Sequence, residues 1–249
     1  MALPNEDAPP SGTLRLGITP AIGDTLSSGM VCRIKEEFPV LDIRLRTDWG
    51  SSLTQQVLDG ELDAAFVIRP QGDEVIAPLD YRQIATLELV VVESRMAPRR
   101  DGPVSLSSLV RKDWILNPVG CGYRSGLEAA MGVGKGRLRV AVDVYGTEIQ
   151  LRMIASGMGF GLVPRSILNA SLSQSDVKVV EIENFSMKLD VHMNSRGHLG
   201  NMKRPSNLFA DELAASLSAP FAVTDGQAQV SGPGLSSRTP VVADGRSLP

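Results

Sequence analysis

The sequence is short of the residues that most often carry chemistry. Its 249 residues include two cysteines, Cys32 and Cys121, and two histidines, His192 and His198. No CxxC pair occurs, so the cysteines define neither a disulfide framework nor a zinc site. HExxH, GxSxG and Walker patterns are missing as well. Both histidines fall late in the chain, on an expected strand and a turn, where a lone histidine is ordinarily packed or solvated. No catalytic residue, metal or cofactor is expected. No apolar run approaches the ~20 residues of a membrane span. The opening MALPNEDAPPSG has neither a basic start nor an apolar centre, so a secretory leader is not expected, and the expected setting is cytoplasmic with reduced thiols. Positive charge is not in excess either: 25 Lys and Arg face 28 Asp and Glu, for a net charge of −3 and a pI of about 5.5. A module that grips DNA phosphates by itself is usually basic, so direct DNA binding is not expected.

What is present is a soluble-type composition, 43% hydrophobic with a mean hydropathy of +0.02. The chain is long enough for two small lobes with their own cores. An internal repeat points the same way. GSSLTQQVLDGELDAAFV begins at Gly50 and GTEIQLRMIASGMGFGLVP begins at Gly146. Each opens with glycine and a hydroxyl residue, Ser51 or Thr147, which reads as a helix N-cap. A short helical pattern follows in each, Leu53, Val57 and Leu58 or Ile149, Met153 and Ile154. Each stops at a glycine, Gly60 or Gly157, the usual C-terminal signal. Each then enters an apolar run, Ala64–Ile68 or Phe160–Val163, suited to a buried parallel strand.

The repeat extends upstream. Leu14–Ile18 and Trp114–Leu116 read as strands ending at Thr19-Pro20 and Asn117-Pro118. Nearly equal stretches then lead to Gly50 and Gly146, each holding a helix and a strand: Thr25–Phe38 with Leu41–Arg46, and Tyr123–Met131 with Leu138–Val144. The first helix puts Leu26, Met30, Val31, Ile34 and Phe38 on one face and Thr25, Ser28, Gly29 and Cys32 on the other. Each half is therefore β-α-β-α-β, and a cleft is expected between them. Arg69 to Asp73 reads as a turn-rich loop, and Tyr81–Ile84 and Leu87–Val92 as two strands. Later elements are a short helix at Arg165–Ala170, strands at Val177–Ile182 and Met187–Met193, and an amphipathic helix at Pro205–Leu217. The glycines from Gly157 to Gly161 follow a helix and precede a strand, which is the reverse of a dinucleotide loop.

The stretches LRLGITPAIGDTL, FPVLDIRLRTDWGSSLTQQVLDGELDAAFVIRP, PVSLSSLVRKDWILNPVGCGYRSGLE and RMIASGMGFGLVP occur in that order between Leu14 and Leu217. As a series they resemble the effector-binding domain of LysR-type transcriptional regulators. The resemblance implies an α/β architecture of the type II periplasmic-binding-protein kind: two Rossmann-like lobes, a central cleft and two crossover strands. It also implies small-molecule sensing. It divides the chain into a linker at 1–12, lobe I at 13–93 and 194–218, and lobe II at 94–193. Residues 219–249, mixed Pro, Gly and Ser without periodicity, read as a disordered tail. Full-length family members begin with a winged helix-turn-helix that this sequence lacks, so DNA is expected as a partner only through that module. The chain reads either as an excised domain or as a stand-alone sensor. A homodimer or higher homo-oligomer is implied, with the first helix of one subunit beside the second lobe of its partner. The alternative is a solute-binding protein of a transport system, which shares the bilobed fold.

Each of four loops sits just ahead of a helix: Thr19, Pro20 and Ala21; Trp49, Gly50, Ser51 and Ser52; Gly120, Cys121, Gly122 and Arg124; Tyr145 and Thr147. Helix N-termini offer free N–H groups and favour negative charge. The hydroxyls of Ser51, Ser52 and Thr147 add donors, or serve as plain caps. Arg124 reads equally as a bidentate fork for a carboxylate and as a solvated surface residue. Trp49 reads as a pocket wall or a core residue. Family members that sense peroxide use two nearby cysteines. No cysteine follows Cys121, which therefore reads as a small pocket-lining residue. The expected ligand is a small carboxylate, with a neutral aromatic effector as its rival.

Overall fold

The structure is a computed structural model that describes residues 9–26, 28–71, 77–99, 101–132 and 138–218. The expected tail at 219–249 lies outside the described residues, as do most of the expected linker, positions 1–8, and Gly72-Asp73 of the expected loop.

Lobe I begins with β1 (Gly12–Ile18), whose Leu14, Leu16 and Ile18 are buried. It pairs in parallel with β2 (Leu41–Thr47) on one side and β3 (Ala64–Pro70) on the other. Gly17 is needed here, because a Cβ would lie 2.6 Å from Leu62 and 2.7 Å from Leu53. β2 is the edge, and its charged Asp42, Arg44 and Arg46 protect it from pairing with other chains. Between β1 and β2 run α1 (Pro20–Gly23), with proline at its favoured first position, and α2 (Ser28–Glu37). α2 starts later than the sequence pattern suggests. Thr25 is buried in the turn after α1, with its amide and hydroxyl both bound to the Ile22 carbonyl, and so leaves the outer face.

The two repeated helices, α3 (Gly50–Leu58) and, in lobe II, α5 (Thr147–Ala155), end alike. Gly60 (φ +78°) and Gly157 (φ +81°) take the left-handed conformation that glycine adopts without strain. Their amides bond Val57 and Ile154 carbonyls, and the next amides reach Gln56 and Met153, the paired bonds of a Schellman motif. Their starts differ from expectation. Neither Ser51 nor Thr147 is a cap: both lie inside the helix, and the capping positions are Trp49 and Gly146.

β4 (Leu79–Ser94) is one long strand where two were expected, with an irregularity between Gln83 and Ala85 that keeps both segments in one ladder. Lobe II continues with β5 (Trp114–Leu116), α4 (Gly122–Ala130), β6 (Val140–Asp143), α5, β7 (Gly161–Pro164), α6 (Arg165–Ala170) and β8 (Val177–Val179). β9 (Met187–Arg196) returns to lobe I, which α7 (Lys203–Ser218) completes. The main sheet runs β2-β1-β3-β9-β4-β7 with β8 also on β4, and β5 and β6 form a parallel pair beside it. β4 and β9 pair antiparallel from Leu79↔Arg196 to Leu89↔Met187 and are the two crossover strands. Arg69 and Pro70 extend β3 against Asp190 and Leu189 of β9, so they are strand rather than loop.

Two aromatic pairs sit in one continuous core that runs through both lobes: Phe66 against Phe209 at 4.9 Å on the lobe I side, and Trp114 against Phe160 at 5.7 Å on the lobe II side. Trp114 is fully buried, and its indole N–H donates to the Leu109 carbonyl at 3.0 Å. Among the described residues no helix is long and apolar enough to cross a membrane.

Candidate functional site

A cavity of about 400 Å³ lies between the lobes, within the usual range for small-molecule sites. It sits beyond the carboxyl ends of β1, β3 and β5, where open α/β sheets bind ligands. Lobe I supplies Thr19, Pro20 and Ala21, then Trp49, Gly50 and Ser51, and the end of β3. Lobe II supplies Gly120, Cys121 and Gly122. These nine residues are brought together as the sequence suggests.

Ser52, Arg124, Tyr145 and Thr147 are not among the lining residues. Ser52 turns away to donate to Asp48 Oδ2 at 2.6 Å. That bond, with the Trp49 amide and Gln56, holds the Asp48 carboxyl below its ordinary value. Arg124 is drawn into the protein, where it is 7% exposed; Nε meets Glu128 Oε1 at 3.2 Å and Nη1 meets Asp143 Oδ1 at 2.7 Å. It is therefore neither a fork at the cavity nor a solvated arginine. Tyr145 is exposed, and its ring lies 5.7 Å from that of Trp49 across the cleft. Gly120 lies against the same indole with φ at +104°, a conformation that favours glycine; a Cβ there would be in ordinary contact, 3.5 Å from the ring. Thr147 is buried, and its amide donates to Asp24 of the opposite lobe at 2.7 Å.

The lining also holds Thr54, Gln55, Leu58, Val67, Ile68, Arg69, Pro70, Asn117 and Tyr123, which sequence reasoning passed over. Ordinary rules could have found several. Thr54, Gln55 and Leu58 follow Ser51 at the three- and four-residue spacing of one helix face. Arg69 and Asn117 sit at carboxyl ends of parallel strands. Asn117 is buried, its side-chain amide donating to the Val144 carbonyl at 3.1 Å.

Among the described lining residues there is no carboxylate, and Arg69, whose guanidinium lies 5.7 Å from the Tyr81 ring centre, is the charged side chain. Two carboxylates stand behind the wall: Asp48, bound to the Trp49 amide just ahead of α3, and Asp24, whose charge reaches Tyr123. α3 from lobe I and α4 from lobe II both begin on the cavity. The amides of Gly50, Ser51 and Gly122 have no hydrogen-bond acceptor among the described residues. Two buried hydroxyls on the wall, Thr19 Oγ1 and Tyr123 OH, also find no partner among the described residues. Thr19 is 8% exposed and Tyr123 3%. Burial pushes the Tyr123 phenol well above its ordinary value of 10.0, and the charges of Cys121 and Asp24 add to this. Leaving a buried polar group without a partner is costly.

Cys121 is a buried, free thiol. Burial pushes it above 9.0, outweighing the pull of the Tyr123 and Arg124 amides and of the Arg124 charge. The neutral thiol is a weak nucleophile. His192 is off the cavity on β9, edge-on to Tyr81 at 6.3 Å, and burial lowers its pKa. Among the described residues no group of three or more His, Cys, Asp or Glu is arranged to hold a metal.

Residues 7–215 match the family model described as the LysR substrate binding domain. Curated relatives include the HTH-type transcriptional regulator YeiE of Escherichia coli (strain K12), 24% identical over 173 residues, covering 69% of this chain and 58% of that protein. Another is the phosphonates import ATP-binding protein PhnC of Anaeromyxobacter dehalogenans, 26% identical over 181 residues, covering 72% of this chain and 36% of that protein. The chain thus spans between about a third and somewhat over half of these relatives. Among solved structures, the reduced form of the regulatory domain of OxyR2 from Vibrio vulnificus superposes with a TM-score of 0.66 at 21% identity, over 87% of this chain and 99% of that one. That likeness gives the fold, the type II periplasmic-binding-protein arrangement.

Proposed function

The chain belongs to the LysR substrate binding domain family, the regulatory effector-binding part of LysR-type regulators, and from that premise we propose that it senses a small organic acid held in the cavity between its lobes. One observation carries the choice of an acid: the described cavity wall combines two helix starts, neither capped by the side chain in its capping position, with an arginine, and no carboxylate is among the described lining residues. Each helix end favours an anion by about 0.3–1 kcal/mol, and each hydrogen bond to a charged acceptor adds roughly 1.5–3 kcal/mol. Two or three such bonds support micromolar binding, about −8 kcal/mol, after the cost of association. The binding groups in this reading are the amides of Gly50, Ser51 and Gly122, the hydroxyls of Thr19, Ser51 and Tyr123, and Arg69. Trp49, Pro20, Ala21 and Cys121 supply apolar walls.

The lobe boundaries at 93 and 194, a cytoplasmic setting and a homo-oligomer built on the outer face of α2 belong to the same reading. Action on DNA, in this reading, goes through a helix-turn-helix module and not through this acidic domain. A transport solute-binding role is not favoured, since the family match is to a regulator's domain. The test is a thermal-shift screen of organic acids beside their amides. An acid at about a hundred times its dissociation constant stabilises the fold by roughly 2.7 kcal/mol, a melting shift of about 5–11 °C at this size. Equal shifts from acids and amides would show that the cavity does not read charge.

A further inference from the structure

The N-terminus of α5 already has an anion, and it comes from the other lobe. Asp24 stands at the end of α1 in lobe I. Its Oδ2 accepts the amide of Thr147, the first residue of α5, at 2.7 Å, across 123 positions of sequence. The residue in the capping position is Gly146, which has no side chain to offer, and the acid of the first turn, Glu148, accepts from Ser171 and Ser173 instead. Gly146 takes φ +91°, a conformation that favours glycine, and lies beside Asp24: a Cβ there would be in ordinary contact, 3.8 Å from Oδ1. A second contact crosses the cleft nearby, the Trp49–Tyr145 ring pair. A cap supplied from the same lobe would persist whether the lobes were open or shut. This one exists only while they are together.

We propose that Asp24 is a positioning residue for the effector cleft: its carboxylate serves as a built-in ligand of α5 and latches the lobes closed before an effector arrives. It also withdraws the α5 terminus from the effector site and leaves α3 and α4 to meet the effector. This second consequence rests on reading the cavity as that site; the latch itself is tested without effector.

The reporter is Trp49, half-buried at the lobe contact, while Trp114 is fully buried and hidden from quencher. Acrylamide quenching of the intact chain should rise severalfold in Asp24→Ala. It should rise less in Asp24→Asn, which keeps an oxygen acceptor without the charge. Because Asp24 is exposed, solution acetate can take its place. Excess acetate should return Asp24→Ala toward the parent, and acetamide or chloride at matched ionic strength should not. Unchanged quenching in both variants would overturn the proposal. An equal acetate response in the parent and Asp24→Ala would overturn it too, by assigning the anion to the cavity.

Discussion

Replacing Tyr123 by phenylalanine removes one hydroxyl and almost no volume. That hydroxyl is buried without a partner among the described residues, on a ring that is 3% exposed. Leaving such a group unsatisfied costs about 1–3 kcal/mol. Tyr123→Phe should therefore leave the ligand-free fold unharmed or stabilise it, by about 1 kcal/mol, which is about 2–4 °C in Tm at this size. Binding should move the opposite way. A hydrogen bond from the phenol to a charged effector is worth roughly 1.5–3 kcal/mol, so losing it should weaken affinity about 10- to 100-fold. Differential scanning calorimetry reads the first effect. Isothermal titration with the strongest acid from the screen reads the second. The opposed signs separate this account from ordinary core damage, which lowers both. A melting temperature more than about 2 °C below the parent would mean that the hydroxyl has a partner in the resting fold. Unchanged affinity would remove Tyr123 from the effector's contacts.

The other expectations concern residues whose roles the fold reassigned. Arg124→Met should destabilise the domain by about 3 kcal/mol in urea unfolding, because it breaks a buried ion pair, Arg124 Nε to Glu128 Oε1 at 3.2 Å; a change of less than about 1 kcal/mol would mean that the pair is replaceable. Cys121, raised by burial, should resist a thiol reagent at neutral pH in the folded protein and react once the chain is unfolded in urea, and equal rates in the two states would refute its neutral, buried state. The sign in pH follows: the unfolded thiol ionises near 9.0 and the folded one only above it, so this contribution to stability is full below 9.0 and lost as pH rises through the folded value. A pH series of urea melts on the parent and Cys121→Ser checks it. Cys32→Arg, on the exposed face of α2, should yield monomers in analytical ultracentrifugation, and a parent already monomeric at high micromolar concentration would sink the self-association reading.

The ends of the repeated helices show why part of this structure is legible in sequence and part is not. Gly60 and Gly157 announce the C-termini because the left-handed turn is a property of the residue itself. The N-termini are another matter, because any acceptor in space can serve them. For α5 the partner is Asp24, far away in sequence; next to α3, Asp48 binds the Trp49 amide and Ser52 and leaves Ser51 to the cavity. Arg124 was ambiguous for the same reason. Glu128 one turn on was visible as an i,i+4 partner, but Asp143 was brought beside it only by the β5–β6 pairing. β4 was misread at its irregularity, where the alternation slips by a residue while the ladder to β9 carries on.

The helix ends that the repeat presents as equivalent are therefore divided between two tasks. α1 has four residues, and the amide of Thr19 just before it is bound to the Phe66 carbonyl. α5 is held by Asp24. That leaves α3 and α4, one from each lobe, facing a single cavity. An anion bridging those two ends binds the closed arrangement better than the open one, which is the differential affinity a ligand needs to shift a two-state equilibrium. If Asp24 latches the lobes, its contact acts on that equilibrium beforehand. Populating the closed state would then raise apparent affinity, since only the competent fraction binds, and would narrow the change in population that an effector can produce. On that proposal the strength of one cross-lobe hydrogen bond sets affinity and response in opposite directions.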